Sequence, residues 1–215
     1  MARTILDTIR DQAADHHLDI FGAFHADEAD GCAPGTMILL SPLEPGFWDH
    51  LRGTPDFSGP DPVDTWSRRV IGALAEAAGG EAHFPFGGPP YAPFIRWATR
   101  TGRAWPSPVG MLVHETAGLM ISLRGAIWLP AFLELPPVPV ASPCETCAQP
   151  CLTACPVDAL GAHPYDVPAC HAYLDTPEGA DCLTGGCHVR RACPVSRSFG
   201  RDAAQSAHYM RYFHR

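Results

Sequence analysis

Eight of the nine cysteines in this 215-residue chain lie between Cys144 and Cys193, and only Cys32 stands apart. Sulfur at that density crosslinks a chain, ligates metal or carries redox chemistry. A reducing compartment disfavours disulfides, which leaves metal ligation and redox work. His171 and His188 lie among these cysteines and offer imidazole as a substitute ligand. Cys32, in Asp-Gly-Cys-Ala-Pro-Gly, reads as a loop thiol without a task.

The first group reads Cys144-Glu-Thr-Cys147-Ala-Gln-Pro-Cys151-Leu-Thr-Ala-Cys155-Pro156. It is close to the bacterial ferredoxin run C-x2-C-x2-C-x3-C-P, with one extra residue before Cys151. Three thiolates from one tight loop can take three corners of a 4Fe–4S cube, while the proline after the fourth turns the chain away. In two-cluster ferredoxins that fourth cysteine serves the other cluster. The second group, Cys170, Cys182, Cys187 and Cys193, has wider gaps and ends in the same Cys-Pro dipeptide. Two quartets so closed fit two 4Fe–4S clusters with interleaved ligands. Cys144, Cys147, Cys151 and Cys193 would hold one, and Cys155, Cys170, Cys182 and Cys187 the other. Structural zinc is the competing chemistry; it also uses C-x2-C pairs but needs only four ligands per ion.

All fifteen basic residues are arginine, so Schiff-base chemistry and a phosphate-loop GK[ST] motif are excluded. A formal net charge of −8 argues against nucleic acid and anionic lipid as general partners. The best uncharged apolar run, residues 125–133 between Arg124 and Glu134, is far short of a bilayer span. Charged residues punctuate the first twenty positions in an amphipathic-helix pattern rather than a signal-peptide core. The expectation is a cytoplasmic chain with no membrane segment.

The elements that must position the cysteines follow from punctuation and periodicity. The uncharged, proline-rich stretch 135–143, LPPVPVASP, reads as a linker between a domain at 1–134 and a second at 144–215. Asp61-Pro62-Val63 offers an N-cap and a first-turn proline, and Gly79-Gly80 closes that helix, with Trp66, Val70 and Leu74 on its buried face. A second helix over 91–101 brings Phe94, Trp97 and Ala98 to one side, and a third over 203–213 aligns Ala207, Met210 and Tyr212 or Phe213. Strands are expected at 20–24, 37–40, 109–114 and 119–123, the last two as a hairpin across 115–118. There is no GxGxxG, so a nicotinamide-binding Rossmann unit is not expected.

Three stretches carry a resemblance to a known family. They are Asp61-Pro-Val-Asp-Thr-Trp-Ser-Arg-Arg-Val-Ile-Gly72, Ser107-Pro-Val-Gly-Met-Leu-Val-His114 and Gly118-Leu-Met-Ile-Ser-Leu-Arg-Gly125. Together they resemble the cobalamin-processing CblC proteins, and epoxyqueuosine reductases and reductive dehalogenases look similar in the same region. The latter two also carry a two-cluster ferredoxin segment, which Cys170-His-Ala-Tyr173 and Cys193-Pro194 resemble. The resemblance implies an α+β, nitroreductase-like (CblC-like) N-terminal domain that holds cobalamin or another corrinoid, with a small bacterial-ferredoxin-like domain after it. Electrons would pass from a flavodoxin, a ferredoxin or a flavoprotein reductase through the clusters to the cobalt. The reaction would be corrinoid reduction, dealkylation or reductive attack on a substrate; the alternatives are a ferredoxin-like carrier with no corrinoid and a cobalamin chaperone. Where epoxyqueuosine reductases place an acidic proton donor, this chain has only Phe84-Pro-Phe-Gly-Gly-Pro-Pro90, so that enzyme's own reaction is not expected.

Within such a corrinoid site His114 either ligates cobalt or holds its hairpin by a hydrogen bond. Arg124 either meets a corrin amide oxygen or forms a salt bridge. Tyr91, Trp97 and Trp105 either offer flat apolar surface to the macrocycle or build core. Arg190-Arg191, beside Cys187, offset cluster charge, guide an acidic redox partner or form an ordinary exposed face.

Overall fold

The computed structural model describes residues 3–139 and 141–214 and is a mixed α+β structure with a small antiparallel sheet. Its strands are β1 (Leu18–Ala26), β2 (Gly35–Pro42), β3 (Glu81–His83), β4 (Ala104–Pro106), β5 (Leu112–His114) and β6 (Gly125–Leu129). The α-helices in the first half are α1 (Ile5–Ala14), α2 (Phe47–Arg52), α3 (Pro62–Ala77) and α4 (Phe94–Arg100). Those in the cysteine-rich half are α5 (Val167–Leu174), α6 (Ala180–Gly185), α7 (His188–Ala192), α8 (Pro194–Phe199) and α9 (Ala203–Phe213).

The chain folds as two compact units, Met1–Arg103 with Ser122–Val138, and Ala104–Ile121 with Pro139–Arg215. In the first, an antiparallel sheet runs β1-β2-β6-β3. Every residue of β2 is buried, which matches its unbroken apolar run from Met37 to Leu40. β6 comes from the apolar stretch 125–133 and lies between β2 and β3; neither β6 nor β3 is among the strands that alternation marks. α1 starts at a capping box in which Thr4 and Asp7 satisfy each other's backbone N–H groups. α3 buries Val63, Trp66, Val70 and Leu74 as its periodicity predicts. Asp61 stands at its N-cap position in a left-handed conformation and makes no capping hydrogen bond there.

Three histidines gather in this unit. His17, just after α1, lies 4.9 Å centroid to centroid from His50 on α2, and His16 lies 6.2 Å from it. Burial holds the His50 imidazole below its ordinary pKa, and neighbouring His17 and His16 add to the effect. Burial lowers His83 as well, against the opposing charge of Glu81. Both rings bind a proton more readily in the unfolded chain. Stability is therefore complete above about pH 6.5 and declines as pH falls below it through the depressed folded values. The thermal midpoint should drop between pH 7 and pH 5, and His50→Gln combined with His83→Gln should flatten that drop. A double variant with the wild-type slope would show that other groups govern it.

Two expectations about the hairpin and the boundary need correction. Residues 119–123 form no strand, and β5 pairs instead with β4, in the register Ala104 with His114, Trp105 with Val113 and Pro106 with Leu112. The physical reason is that Leu119 is engaged elsewhere: its N–H donates to Ser196 Oγ at 2.9 Å, and its carbonyl accepts from Arg190. The chain does pass between units at Val138 and Pro139, inside the proline-rich stretch, but residues 104–121 belong with the cysteines and not with a domain at 1–134. Val109, Val113 and Leu119 share one buried cluster with Cys151, Leu160, Val189 and Cys193, and Trp105 and Met111 pack against it.

Candidate functional site

The cysteine-rich unit is built from short helices and turns, a form that lets closely spaced residues point inward from several directions. Cys151 sits in a single 3₁₀ turn at Pro150–Thr153, Cys170 on α5 and Cys182 on α6. Cys187 and Cys193 flank α7, and Cys193 with Pro194 also opens α8. All nine cysteines are free thiols.

The structure brings eight of them into two groups. Burial pushes the Cys144 thiol up; Ser142 opposes this, while Cys193 and Cys147 act on it as neighbouring negative charges. Cys151 is likewise raised by burial and then by Cys144, with further contributions from Cys193 and Cys147. Cys151 and Cys193 share one buried cluster against which Cys144 packs, and Cys147 lies near enough to act on Cys144 and Cys151. The second group, Cys155, Cys170, Cys182 and Cys187, lines a small cavity of about 20 Å³ together with apolar residues that include Leu160, Leu174, Val189 and Met210. Burial raises Cys170 and Cys182 too, and Cys187 adds to both. Met210 brings α9 to this wall, so the C-terminal helix helps to enclose the second group.

Cys193 differs from the thiols that burial raises. Burial would raise it as well, but the polar hydrogens of the Ser196 backbone and hydroxyl and of the Leu119 and Val195 backbones hold it below the ordinary thiol range. Ser196 itself is buried, so this environment is fixed. Tyr165 stands beside Cys170, and burial together with that thiol pushes its phenol up. Gln149 N–H donates to Cys147 Sγ at 3.3 Å.

Among the described residues no three His, Cys, Asp or Glu side chains close on a point that would hold a single ion. A cubane asks for a different spacing, because each thiolate takes its own iron. Around one zinc ion all four sulfurs lie about 2.3 Å from the same centre. The histidines next to the quartets have other partners. His171 Nδ1 lies 2.7 Å from His214 Nδ1, and His188 Nε2 lies 2.7 Å from Asp181 Oδ2. Cys32 lies in the first unit, away from both groups in the chain, with its thiol raised by burial and then by Asp30 and Asp27.

The residues named for a corrinoid are divided between the units. Tyr91, Trp97 and Arg124 lie in the first, Trp105 and His114 in the second. His114 is buried, and its Nδ1 accepts from the backbone N–H groups of Thr116 and Ala117 at 3.2 and 3.4 Å. That is the hairpin-holding role. Arg124 Nη1 lies 3.5 Å from Asp64 Oδ1, which is the salt-bridge role. Trp97 is core, with its indole N–H donating to the Asp30 carbonyl at 3.2 Å. Trp105 packs on the buried cluster around Cys151 and Cys193. Tyr91 alone of the five is widely exposed, at 64 %. It adjoins an open concave surface lined by Pro85, Ala92, Pro93, Phe94, Ile95 and Arg96. Sequence reasoning missed Ser196 and Tyr165 as surroundings of the thiols; the Ser196 position, three residues after a Cys-Pro, was the available signal.

No family model matches the chain, and no curated protein or solved structure is significantly similar to it.

Proposed function

We propose that the chain is an electron-transfer protein that holds two 4Fe–4S clusters, one on Cys144, Cys147, Cys151 and Cys193 and one on Cys155, Cys170, Cys182 and Cys187. The observation that carries this reading is the gathering of eight free thiols into two groups of four, each of which borrows one cysteine from the other's stretch of sequence. Such clusters, when bound, exchange single electrons. The residues around them supply ligand sulfur, exclude water and orient polar hydrogens toward sulfur, the levers that set cluster potential. Leu160, Leu174, Val189 and Met210 do the excluding at the second group. Ser196, with the Leu119 and Val195 backbones, does the orienting at Cys193.

Anaerobic reconstitution tests this directly. About eight irons and eight acid-labile sulfides per chain are expected, the ratio for paired 4Fe–4S centres. Stoichiometric zinc with little iron would overturn it.

A second reading adds a nitroreductase-like first unit and electron delivery to a corrinoid. The resemblance supports it, as does the exposed apolar surface of Tyr91, Ile95 and their neighbours, on which a flat macrocycle could lie. The engaged states of His114 and Arg124 and the burial of Trp97 favour the plain electron carrier. A visible-spectrum titration of the iron-loaded protein with cobalamin separates the two: unchanged bands leave a carrier served by a flavodoxin, ferredoxin or flavoprotein reductase.

A further inference from the structure

Large apolar side chains are exposed unevenly over the cysteine-rich unit. Among its described residues those open to water are Val157, Tyr165, Val167, Tyr212 and Phe213, each between 38 and 41 % exposed. All five belong to segments that carry or enclose the second cysteine group. Val157 shares the wall of the small cavity with Cys155, Cys170, Cys182 and Cys187. Val167 opens α5, the helix of Cys170, and Tyr212 and Phe213 close α9, whose Met210 lines the same wall. Tyr165 stacks on Phe213 at 6.3 Å, and Phe213 stacks on His171, the neighbour of Cys170, at 4.7 Å, centroid to centroid. Apolar surface gathered in one place and rimmed by polar groups marks an interaction site.

The rim here is acidic. Asp158 follows Val157, and Asp166, which caps α5 at the Ala169 N–H, stands between Tyr165 and Val167 in the chain. Asp175 Oδ1 lies 3.1 Å from Nε2 of His214, the residue after Phe213. The Asp158 and Asp175 side chains are 78 and 73 % exposed, and their ionic neighbours are the histidines His163 and His214. Among the described residues no arginine, Arg211 in the last turn of α9 included, lies within ion-pair distance of these three aspartates. Elsewhere in the unit Asp181 is neutralised by Arg191.

We propose that this face docks a redox protein whose own contact surface is basic at its rim and apolar at its centre, and that electrons cross there, one at a time, between the second cluster and the partner's cofactor. The inference rests on the two-cluster reading above. In each crossing one centre loses the electron that the other gains. Aromatic side chains with a charged border are the usual anatomy of a protein interface, and unneutralised carboxylates steer a basic partner toward it. A second copy of this chain does not fit, since it would bring the same three aspartates against their like.

The test is stopped-flow oxidation of the iron-loaded, dithionite-reduced full chain by ferric cytochrome c, a lysine-rich probe, and by the same probe with its lysines succinylated to carboxylates. At low ionic strength the native probe should react about tenfold faster or more. Salt at about 1 M, where the Debye length is about 3 Å, should close that gap. Asp158→Asn combined with Asp175→Asn should slow the native probe by about threefold or more, whereas Asp49→Asn combined with Glu76→Gln, the same change of charge in the other unit, should alter it by about twofold at most. Equal rates for the two probes, a faster succinylated probe, or equal slowing by the two pairs of substitutions would each overturn the proposal. Loss of iron from the Asp158 and Asp175 pair would overturn it as well, since those side chains would then be holding the fold. Failure of the parent reading is seen earlier, as a wild-type chain that takes up no iron.

Discussion

Cys193→Ala is expected to halve the iron content, from about eight to about four per chain, and to remove the cluster bound by Cys144, Cys147 and Cys151. Adjacency in sequence gives the opposite expectation, because Cys193 lies six residues after Cys187 and far from Cys144. The proposed assignment follows the distant set, because Cys193 shares a buried cluster with Cys151, and Cys144 packs against it; Cys193 also acts as a neighbouring charge on both Cys144 and Cys151, whereas Cys187 does so on Cys170 and Cys182. The surviving signal should be the one that Cys182→Ala removes. If the two variants erase the same signal, the interleaved assignment is wrong.

Gly118→Ala is expected to cost the same cluster without touching a ligand. Gly118 has φ +56°, and a Cβ there would fall 2.5 Å from Ser196 N and 2.9 Å from Cys193 Sγ. The first of these neighbours is backbone, which cannot swing aside. Displacing it would move Cys193 and the hydrogens that surround its sulfur. Gly110→Ala is the matched control: its φ is +74°, but nothing lies within 4 Å of the added carbon. There only the left-handed strain of about 1–2 kcal/mol remains, which in a chain of this size lowers the thermal midpoint by roughly 2–8 °C. Iron analysis of both variants distinguishes crowding from strain: full iron in Gly118→Ala would mean that the hairpin does not press on Cys193.

Much of this was legible in the chain because it depends on neighbours in sequence. α3 and α4 announce themselves by a periodic apolar face and by proline and glycine at their ends, and β2 by an unbroken apolar run. The two cysteine stretches announce themselves by the repeated Cys-Pro, since a proline there turns the chain out of its own loop. The β4–β5 hairpin was not readable, because each strand is three residues long and β4 ends in proline. Leu119 looks like strand in any local window and becomes a turn residue only because Ser196 and Arg190, more than seventy positions later, take its N–H and carbonyl. The roles of His114, Arg124 and Trp97 were undecidable for the same reason: each depends on a hydrogen-bonding or ionic partner whose nearness only the folded chain reveals.

Because residues 104–121 lie within the first unit's span of sequence yet pack with the second, no single cut of the polypeptide yields both halves whole. A fragment beginning at Pro139 would carry all eight clustered cysteines but would lack the Leu119 amide beside Cys193, the carbonyl that receives Arg190, and the apolar side chains of Val109 and Val113. A fragment ending at Val138 would instead display those apolar residues to water. During synthesis the same geometry imposes an order, since the hairpin emerges long before Cys193 and must remain uncovered until α7 and α8 arrive to bury it.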